Sequence, residues 1–476
     1  METAAEWMYI KEGNASVVIE HKTKHIIYQL WKCEAKRSTE KQSPQTSRES
    51  ECRSKINFIS LVLKPLLGQF ANIPQFFPVT EEFVKCISQA FEKERPTKRR
   101  HKIIDPHQRF VVSQPNFCFL HGPRACGQGP TITIEIKPKR GFLTATACEC
   151  KKDVCLFCMQ QVLKQRDGDW DYTSKYCPID LFSGDHRRMR HALEGLFETP
   201  QNNLVVFKKK IIKNIGNLGV VSSTFDSRLI YPGQGTSLPC EKERGDLMDT
   251  IHSWLGTKDS MRGPSDHFST SASIQGLISL LITVLCKPDN NPSQLDKSRL
   301  SWTACSASSL DSSDPDQSDE NKLPKGCVLH RILTTQHLNS YGIKFIHQVY
   351  QRYRTHLTKH PQDRERFSID GPHDSDYLGT DLPLLFSDAE VPNLPMEMCV
   401  TLLRRYMVSR TVLDCSIMVT FQPLLDFNSD QDDVICLGDE KFLYSCNLID
   451  LSPKSSSKIP HYYKQDELIR ETYKKR

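Results

Sequence analysis

A mixed α/β (α+β) protein of two to three lobes is what this sequence predicts, and three patterns carry that reading. Strict alternation through Thr131-Ile132-Thr133-Ile134-Glu135-Ile136-Lys137 is the signature of a half-buried strand, with isoleucines on one face and polar side chains on the other. Near the start, Trp7-Met8-Tyr9-Ile10, a turn containing Gly13 and Val17-Val18-Ile19-Glu20 read as strand, turn, strand. Helical apolar spacing runs through Ile56 to Phe70, Thr80 to Arg95 and Ile343 to His356. A chain of 476 residues with 38% hydrophobic content has enough apolar mass for a large core.

The net charge of +6 is too mild for a dedicated DNA-binding protein, so local clusters of basic residues matter more than the total. Met1 to Glu6 lacks the basic segment and apolar core of a signal peptide, and the most apolar run, Ile274 to Cys286, is too short to span a bilayer. Cytoplasm and nucleus are therefore the expected location. There the 18 cysteines are expected as reduced thiols or metal ligands.

The N-terminal strand pair is followed by a third apolar run, His25 to Trp31. Such a hairpin, through Glu12, Gly13, Asn14 and Ala15, can lay backbone N–H groups over a nucleotide's phosphates, and it equally reads as an ordinary β-turn. Cys33 to Lys55 is polar and serine-rich and reads as a loop. Lys98-Arg99-Arg100 reads as a phosphate contact, an import signal or a solvated loop.

Pro138 cannot donate to a sheet ladder and should end the strand that begins at Thr131. If the chain stays extended, Lys139 lies on the same side as Lys137, about 7 Å away at the strand rise. Like charges so placed call for an anion between them, a phosphate-rich ligand, although a solvated strand end is equally open. Next come Cys148, Cys150, Cys155 and Cys158, whose closing C-x2-C has zinc-knuckle spacing; core thiols under a helix are the other reading. Helices are expected over Leu156 to Gln165 and Asp185 to Glu198, followed by the apolar run Leu204 to Phe207. Composition shifts to Ser, Asp, Gly and Pro from about Val220 to Asn321, with amphipathic candidates at Leu247 to Leu255 and Ile274 to Cys286. Lys287 to Asn321 has almost nothing to bury and is expected to be disordered.

Beyond it a helix is expected over Met396 to Val408, then strands over Cys415 to Phe421 and Lys441 to Ile449. Asp414 precedes the first strand and Asp450 follows the second, so antiparallel pairing would bring the two carboxylates together. Two adjacent carboxylates can divide the labour of phosphoryl transfer, one accepting a hydroxyl proton and one holding Mg2+; both also suit ordinary turns. Asp450, Lys454, Lys458 and Tyr462 then recur every fourth residue, with Pro460 opening the last helix. Lysines in such a loop suit a crowded polyphosphate. There is no Walker motif, no H-R-D catalytic loop and no P-x3-D-x-K-x-G signature.

Four segments together resemble the inositol-pentakisphosphate 2-kinase family: Glu135-Ile136-Lys137-Pro138-Lys139-Arg140-Gly141-Phe142, Tyr176-Cys177-Pro178-Ile179-Asp180-Leu181-Phe182-Ser183-Gly184, Pro200-Gln201-Asn202-Asn203-Leu204 and Asp414-Cys415-Ser416-Ile417-Met418. They stand in that family's order. The resemblance implies a two-lobed, distantly protein-kinase-like inositol phosphate kinase fold: an N-terminal lobe over 1–114 and a C-terminal lobe over 115–219 and 323–476, interrupted by an insertion over 220–322. It implies ATP with Mg2+ in the cleft, Asp414 and Lys137 as catalytic residues and Asp450 as the Mg2+ ligand. Substrate phosphates would meet Lys137, Lys139, Lys164, Asn202, Asn203, Lys454, Lys458 and Tyr462, with Arg99 from the basic cluster.

Departures from the family pattern gather on the nucleotide side. The family's G-E-G turn reads Lys11-Glu12-Gly13, Gln29 stands where an arginine is expected, Gln160 replaces a histidine, Val205 replaces a basic residue, and the D-L-x-L-K-P run reads Asp450-Leu451-Ser452-Pro453-Lys454. The expectation is a monomeric kinase for a small inositol polyphosphate, without membrane or specific nucleic-acid partner. A non-catalytic inositide-binding scaffold is the alternative, motivated by Lys11 and Gln29.

Overall fold

The computed structural model describes residues 3–476 except 14, 35–44, 122–129, 144–153, 216–220, 232–236, 256–266, 290–321, 380–385 and 425–432. In chain order the first elements are β1 (Trp7–Glu12), β2 (Ser16–His21), β3 (Ile26–Glu34), α1 (Gln45–Asn57), α2 (Lys64–Leu67), β4 (Gln75–Pro78), α3 (Glu81–Phe91), β5 (Lys102–Ile104) and β6 (Phe110–Pro115). There follow β7 (Thr131–Ile136), α4 (Leu156–Arg166), α5 (Pro178–Leu181), α6 (His186–Glu198), β8 (Leu204–Ile215) and β9 (Val221–Tyr231). The chain closes with α7 (Glu241–Leu255), α8 (His267–Cys286), α9 (Val328–Gln336), α10 (Ile343–Lys359), α11 (Met396–Leu413), β10 (Ser416–Pro423), β11 (Val434–Leu437), β12 (Glu440–Ile449) and α12 (Ile459–Lys474).

The α+β expectation holds. An N-terminal sheet runs β1-β2-β3-β6-β4, with β5 on β3, and a C-terminal sheet runs β11-β12-β10-β7-β8-β9. Apolar side chains of β1, β2 and β3 bury against Val84, Ile87 and Phe91 of α3. Thr80 starts α3 by accepting the Phe83 N–H at 3.2 Å, which satisfies one of the helix's orphan donors. The largest core lies around the C-terminal sheet and draws in Phe58, Leu63 and Leu67 from the segment that precedes β4.

Three expectations need correction. The polar stretch read as a loop contains α1 from Gln45, stabilised on its surface by an i,i+4 Arg53–Glu49 ion pair at 2.7 Å; without an apolar stripe it left no periodic signal. The strand β7 is buried on both faces. Its threonine face is covered by the chain at Phe117–Phe119: Thr131 donates to the Cys118 carbonyl at 2.8 Å, and the Thr133 and Thr420 hydroxyls meet at 2.8 Å. Finally, the chain does not stay extended after Pro138, because Lys139 takes a left-handed φ of 62°.

Helices α7 and α8, from the Ser/Asp-rich stretch, pack into the largest core through Ile251, Leu277, Ile278 and Leu281. The disorder expected over Lys287 to Asn321 falls almost wholly outside the described residues, which omit 290–321. Among the described residues no helix is long and apolar enough to cross a membrane.

A buried ion pair joins the two sheets. Lys209 of β8 lies 2.9 Å from Glu20 of β2, with side-chain exposures of 6% and 2%, and Asn116 donates to the same carboxylate. Removing one partner strands a charge in low dielectric. Lys209→Met is therefore expected to lower unfolding free energy by about 3 kcal/mol or more, and the double change Glu20→Gln with Lys209→Met to recover most of it; urea denaturation of the parent and the two variants measures both.

Candidate active site

The site is built on the turn that leaves β7, and parts of the chain far apart in sequence hold that turn. The Lys137 N–H donates to the Asn203 carbonyl at 2.9 Å. The Tyr176 hydroxyl donates to the Pro138 carbonyl at 2.7 Å. The Gln336 amide bridges the rest, its nitrogen donating to the Lys139 carbonyl at 2.8 Å and its oxygen accepting the Gly141 N–H at 2.9 Å. Gly141 is required by space, since a Cβ there would stand 2.5 Å from the Phe182 ring. Gln336 is itself secured at its carbonyl by the Ser409 hydroxyl at 2.7 Å.

This clamp sets several cations close together. Burial pushes the Lys139 ammonium down to about 8; Asp414 works against that, while Lys137, Lys164 and Arg410 add to it. Lys164, near the end of α4, is also depressed by burial, with Asp169 opposing. Asn203 is 1% exposed and both polar atoms of its side chain lack hydrogen-bond partners, whereas Asn202 is exposed.

Antiparallel pairing brings the two aspartates together as expected. Ser416 of β10 pairs with Ile449 of β12, and continuing that register puts Asp450 opposite Cys415, next to Asp414. Burial, with the Asp450 and Asp414 charges, pushes the Cys415 thiol up to about 12. Asp450 takes a left-handed φ of 63°, a conformation aspartate tolerates better than most residues. Asp414 sits at the C-terminal end of α11, where the helix dipole disfavours a negative charge. Lys454 compensates, its ammonium 3.4 Å from the Asp414 carboxylate. Lys458 is the exposed N-cap of α12, and Pro460 stands within the first turn as expected. The ring of Tyr462 lies 4.3 Å from the Arg410 guanidinium.

The proposed nucleotide hairpin is arranged differently from its neighbours. The Glu12 side chain is fully buried and meets Arg95 at 3.0 Å and Lys32 at 3.3 Å, so its carboxylate fastens β1 to β3 and to the loop after α3. The Gly13 N–H is taken by the Ser16 carbonyl at 2.9 Å, which leaves it unable to cradle a phosphate in this conformation. Ala15 is exposed at the tip, and Asn14 lies outside the described residues. Gln29 donates to the Ser16 hydroxyl at 2.8 Å. Arg99 stays on the N-terminal side, where its carbonyl accepts from Arg95 at 3.2 Å.

Two of the four cysteines expected to hold zinc are found together, joined by a third that was not expected. Cys155, Cys158 and Cys177 place their sulfurs within 4.8 Å of one another, with Cys155 and Cys158 at 3.3 Å. Cys148 and Cys150 lie outside the described residues. Hydrogen bonds from Cys155 and Cys158 push the Cys177 thiol well down, against its burial, so the cluster favours one thiolate at Cys177. Sequence spacing could not reveal Cys177 as a partner, because it is brought in by the strand-like approach to α5.

Comparison with known proteins bears directly on this arrangement. The profile of the family described as inositol-pentakisphosphate 2-kinase matches residues 9–468. The chain belongs to the inositol-pentakisphosphate 2-kinase family. Among members of that family, a protein of Danio rerio is 30% identical over 474 residues, covering 98% of this chain and 92% of its own length. One from Arabidopsis thaliana is 23% identical over 439 residues, covering 88% of this chain and 77% of its own. One from Oryza sativa subsp. indica is 26% identical over 347 residues, covering 71% and 59%. Membership of this kinase family supports the catalytic reading over the scaffold.

The depressed Lys139 gives a test by proton linkage. Below about 8 its ammonium is charged, and above that it is neutral in the free protein. A bound phosphate favours the charged form, so binding of inositol pentakisphosphate should weaken as pH rises through about 8 and be accompanied by proton uptake there. Calorimetry in buffers of different ionisation enthalpy reads the uptake, which Lys139→Arg should remove.

Proposed function

We propose that this chain transfers the γ-phosphoryl group of ATP to the 2-hydroxyl of inositol 1,3,4,5,6-pentakisphosphate, giving inositol hexakisphosphate and ADP. The observation that carries the reading is the meeting of Asp414 and Asp450 at the end of the β10–β12 pair, beside the cations of the lysine turn. The substrate carries several phosphates, and a nucleotide of the same sign must approach it. Lys137, Lys139, Lys164, Lys454 and Lys458 supply the neutralising charge.

Asp414 accepts the proton of the attacking hydroxyl as its oxygen bonds to phosphorus and the bond to the ADP oxygen breaks. The ion pair with Lys454 holds that carboxylate in place, and Lys137 steadies the substrate against it. Asp450 suits Mg2+: it is an exposed hard oxygen donor next to a second carboxylate, and Mg2+ takes one or two carboxylates while keeping waters. When bound, that ion neutralises charge developing on the phosphate oxygens. Tyr462, Asn202 and Asn203 complete the inositide side in this reading, which also assigns Arg99 to it from the N-terminal lobe. The exposed hairpin tip at Gly13 and Ala15 remains the place we assign to nucleotide phosphates.

The three thiols form a second centre, which we assign to structural Zn2+. Three sulfurs within 4.8 Å match the ligand type and closeness of a tetrahedral zinc site, and a thiolate at Cys177 is already favoured. This centre ties the start of α4 to the segment carrying Tyr176, which holds the lysine turn.

Two experiments test these assignments. Asp414→Asn should lower formation of hexakisphosphate by about 100-fold or more while calorimetric inositide binding is retained; full turnover would exclude the proton-acceptor role. Elemental analysis should find one zinc per chain, reduced by Cys177→Ser together with the melting temperature; metal-free protein of unchanged stability would leave the cluster as plain thiols.

A further inference from the structure

Two arginines border the site without a close ion pair among the described residues. Arg140 follows Lys139 in the clamped turn, and its guanidinium lies 5.6 Å from the Phe142 ring centroid. Arg410 lies on α11 one turn before Asp414, and its guanidinium stacks 4.3 Å from the Tyr462 ring centroid. Among the described residues neither forms an ion pair with a carboxylate, and the buried Nε of Arg410 has no hydrogen-bond partner. Other arginines in the molecule's interior are differently provided for. Arg95 meets Glu12, Arg352 donates to the Leu394 carbonyl, and Arg404 donates to the Ser368 carbonyl.

The pair also works against itself. Burial lowers Arg140, with Arg410 and Arg470 adding to that and Tyr406 and Asp466 opposing; burial likewise acts to lower Arg410, yet Asp414, Tyr406 and Tyr462 hold it above its ordinary value. Two guanidiniums near enough to repel, with N–H donors left over, are a receptor for a dianion. Cation–π contact with Phe142 and Tyr462 restrains the two side chains, so less side-chain freedom is lost when an anion arrives.

We infer that Arg410, assisted by Arg140, binds one of the two phosphates on the ring carbons flanking the acceptor carbon of the inositide. This rests on the proposed kinase reading, because it is Asp414's role that locates the acceptor hydroxyl. Residues four apart on a helix stand about 5–6 Å apart at Cβ, so a group reaching from Arg410 meets the substrate next to the hydroxyl that Asp414 contacts. A phosphate of the inositide and one of the nucleotide share the same chemistry, and kinetics with each substrate varied in turn separates them.

The test uses the full chain with ATP, Mg2+ and three inositides: the 1,3,4,5,6-pentakisphosphate and the two tetrakisphosphates lacking the 1- or the 3-phosphate. Arg410→Met should raise KM for the pentakisphosphate about 10-fold or more, with kcat and the KM for ATP little changed. With one of the two tetrakisphosphates that loss should vanish, because the contact is already missing. Arg140→Met, on a different element, should raise the inositide KM in the same direction and keeps the test open if the Arg410 variant does not fold. An equal loss for all three inositides, a rise confined to ATP, or a parental KM in both variants would overturn the inference. If the parent makes no hexakisphosphate, calorimetry of the same inositides reads the same differences: loss of binding in the variants supports the arginine seat although the catalytic reading fails. A parent that binds none of them removes both.

Discussion

Everything at the site depends on the backbone turn from Lys137 to Gly141. A left-handed residue other than glycine is disfavoured by roughly 1–2 kcal/mol, and Lys139 holds that conformation in a crowd of like charges. Neither condition would persist in an isolated peptide. It persists here because Asn203, Tyr176 and Gln336 each satisfy a backbone group of the turn and Phe182 fills the space beside Gly141. The four segments that make the chain resemble its family are thus one mechanical unit. One of them contains the lysine turn, two grip it through Tyr176, Phe182 and Asn203, and the fourth brings Asp414 to it through the pairing of β10 with β7.

Electrostatics divides the molecule into places where charge is compensated and places where it is not. Glu12 with Lys32 and Arg95, and Glu20 with Lys209, are buried charges with partners, and they fasten the N-terminal sheet internally and to its neighbour. Around the lysine turn the cations outnumber the acids, and the excess is held in place by the hydrogen bonds of the clamp. Such a pocket is assembled against its own repulsion, which a polyphosphate relieves on binding. Affinity for an anion is the counterpart of strain in its absence.

Much of this was legible in the chain. Alternation marked β7, Pro138 marked its end, and aspartates flanking two apolar runs foretold the carboxylate pair once antiparallel pairing was assumed. What escaped were effects of distant segments. The threonine face of β7 looked solvated because nothing local announces that Phe117–Phe119 will cover it. Lys139 looked extended because the residue that captures its carbonyl, Gln336, is 197 positions away. Cys177 is distant in sequence from the two cysteines it joins, and α1 lacked an apolar stripe. Glu12 looked open to a nucleotide, since pairing with Arg95 arises only in the folded sheet.

The grip of Gln336 on the lysine turn also bears on how the protein is made. The turn is synthesised early, and the side chain that closes it leaves the ribosome only after the Ser-rich middle of the chain. A nascent or prematurely terminated product therefore carries the basic motif without the geometry that gives it selectivity. The geometry of the cation cluster is therefore completed only late in synthesis.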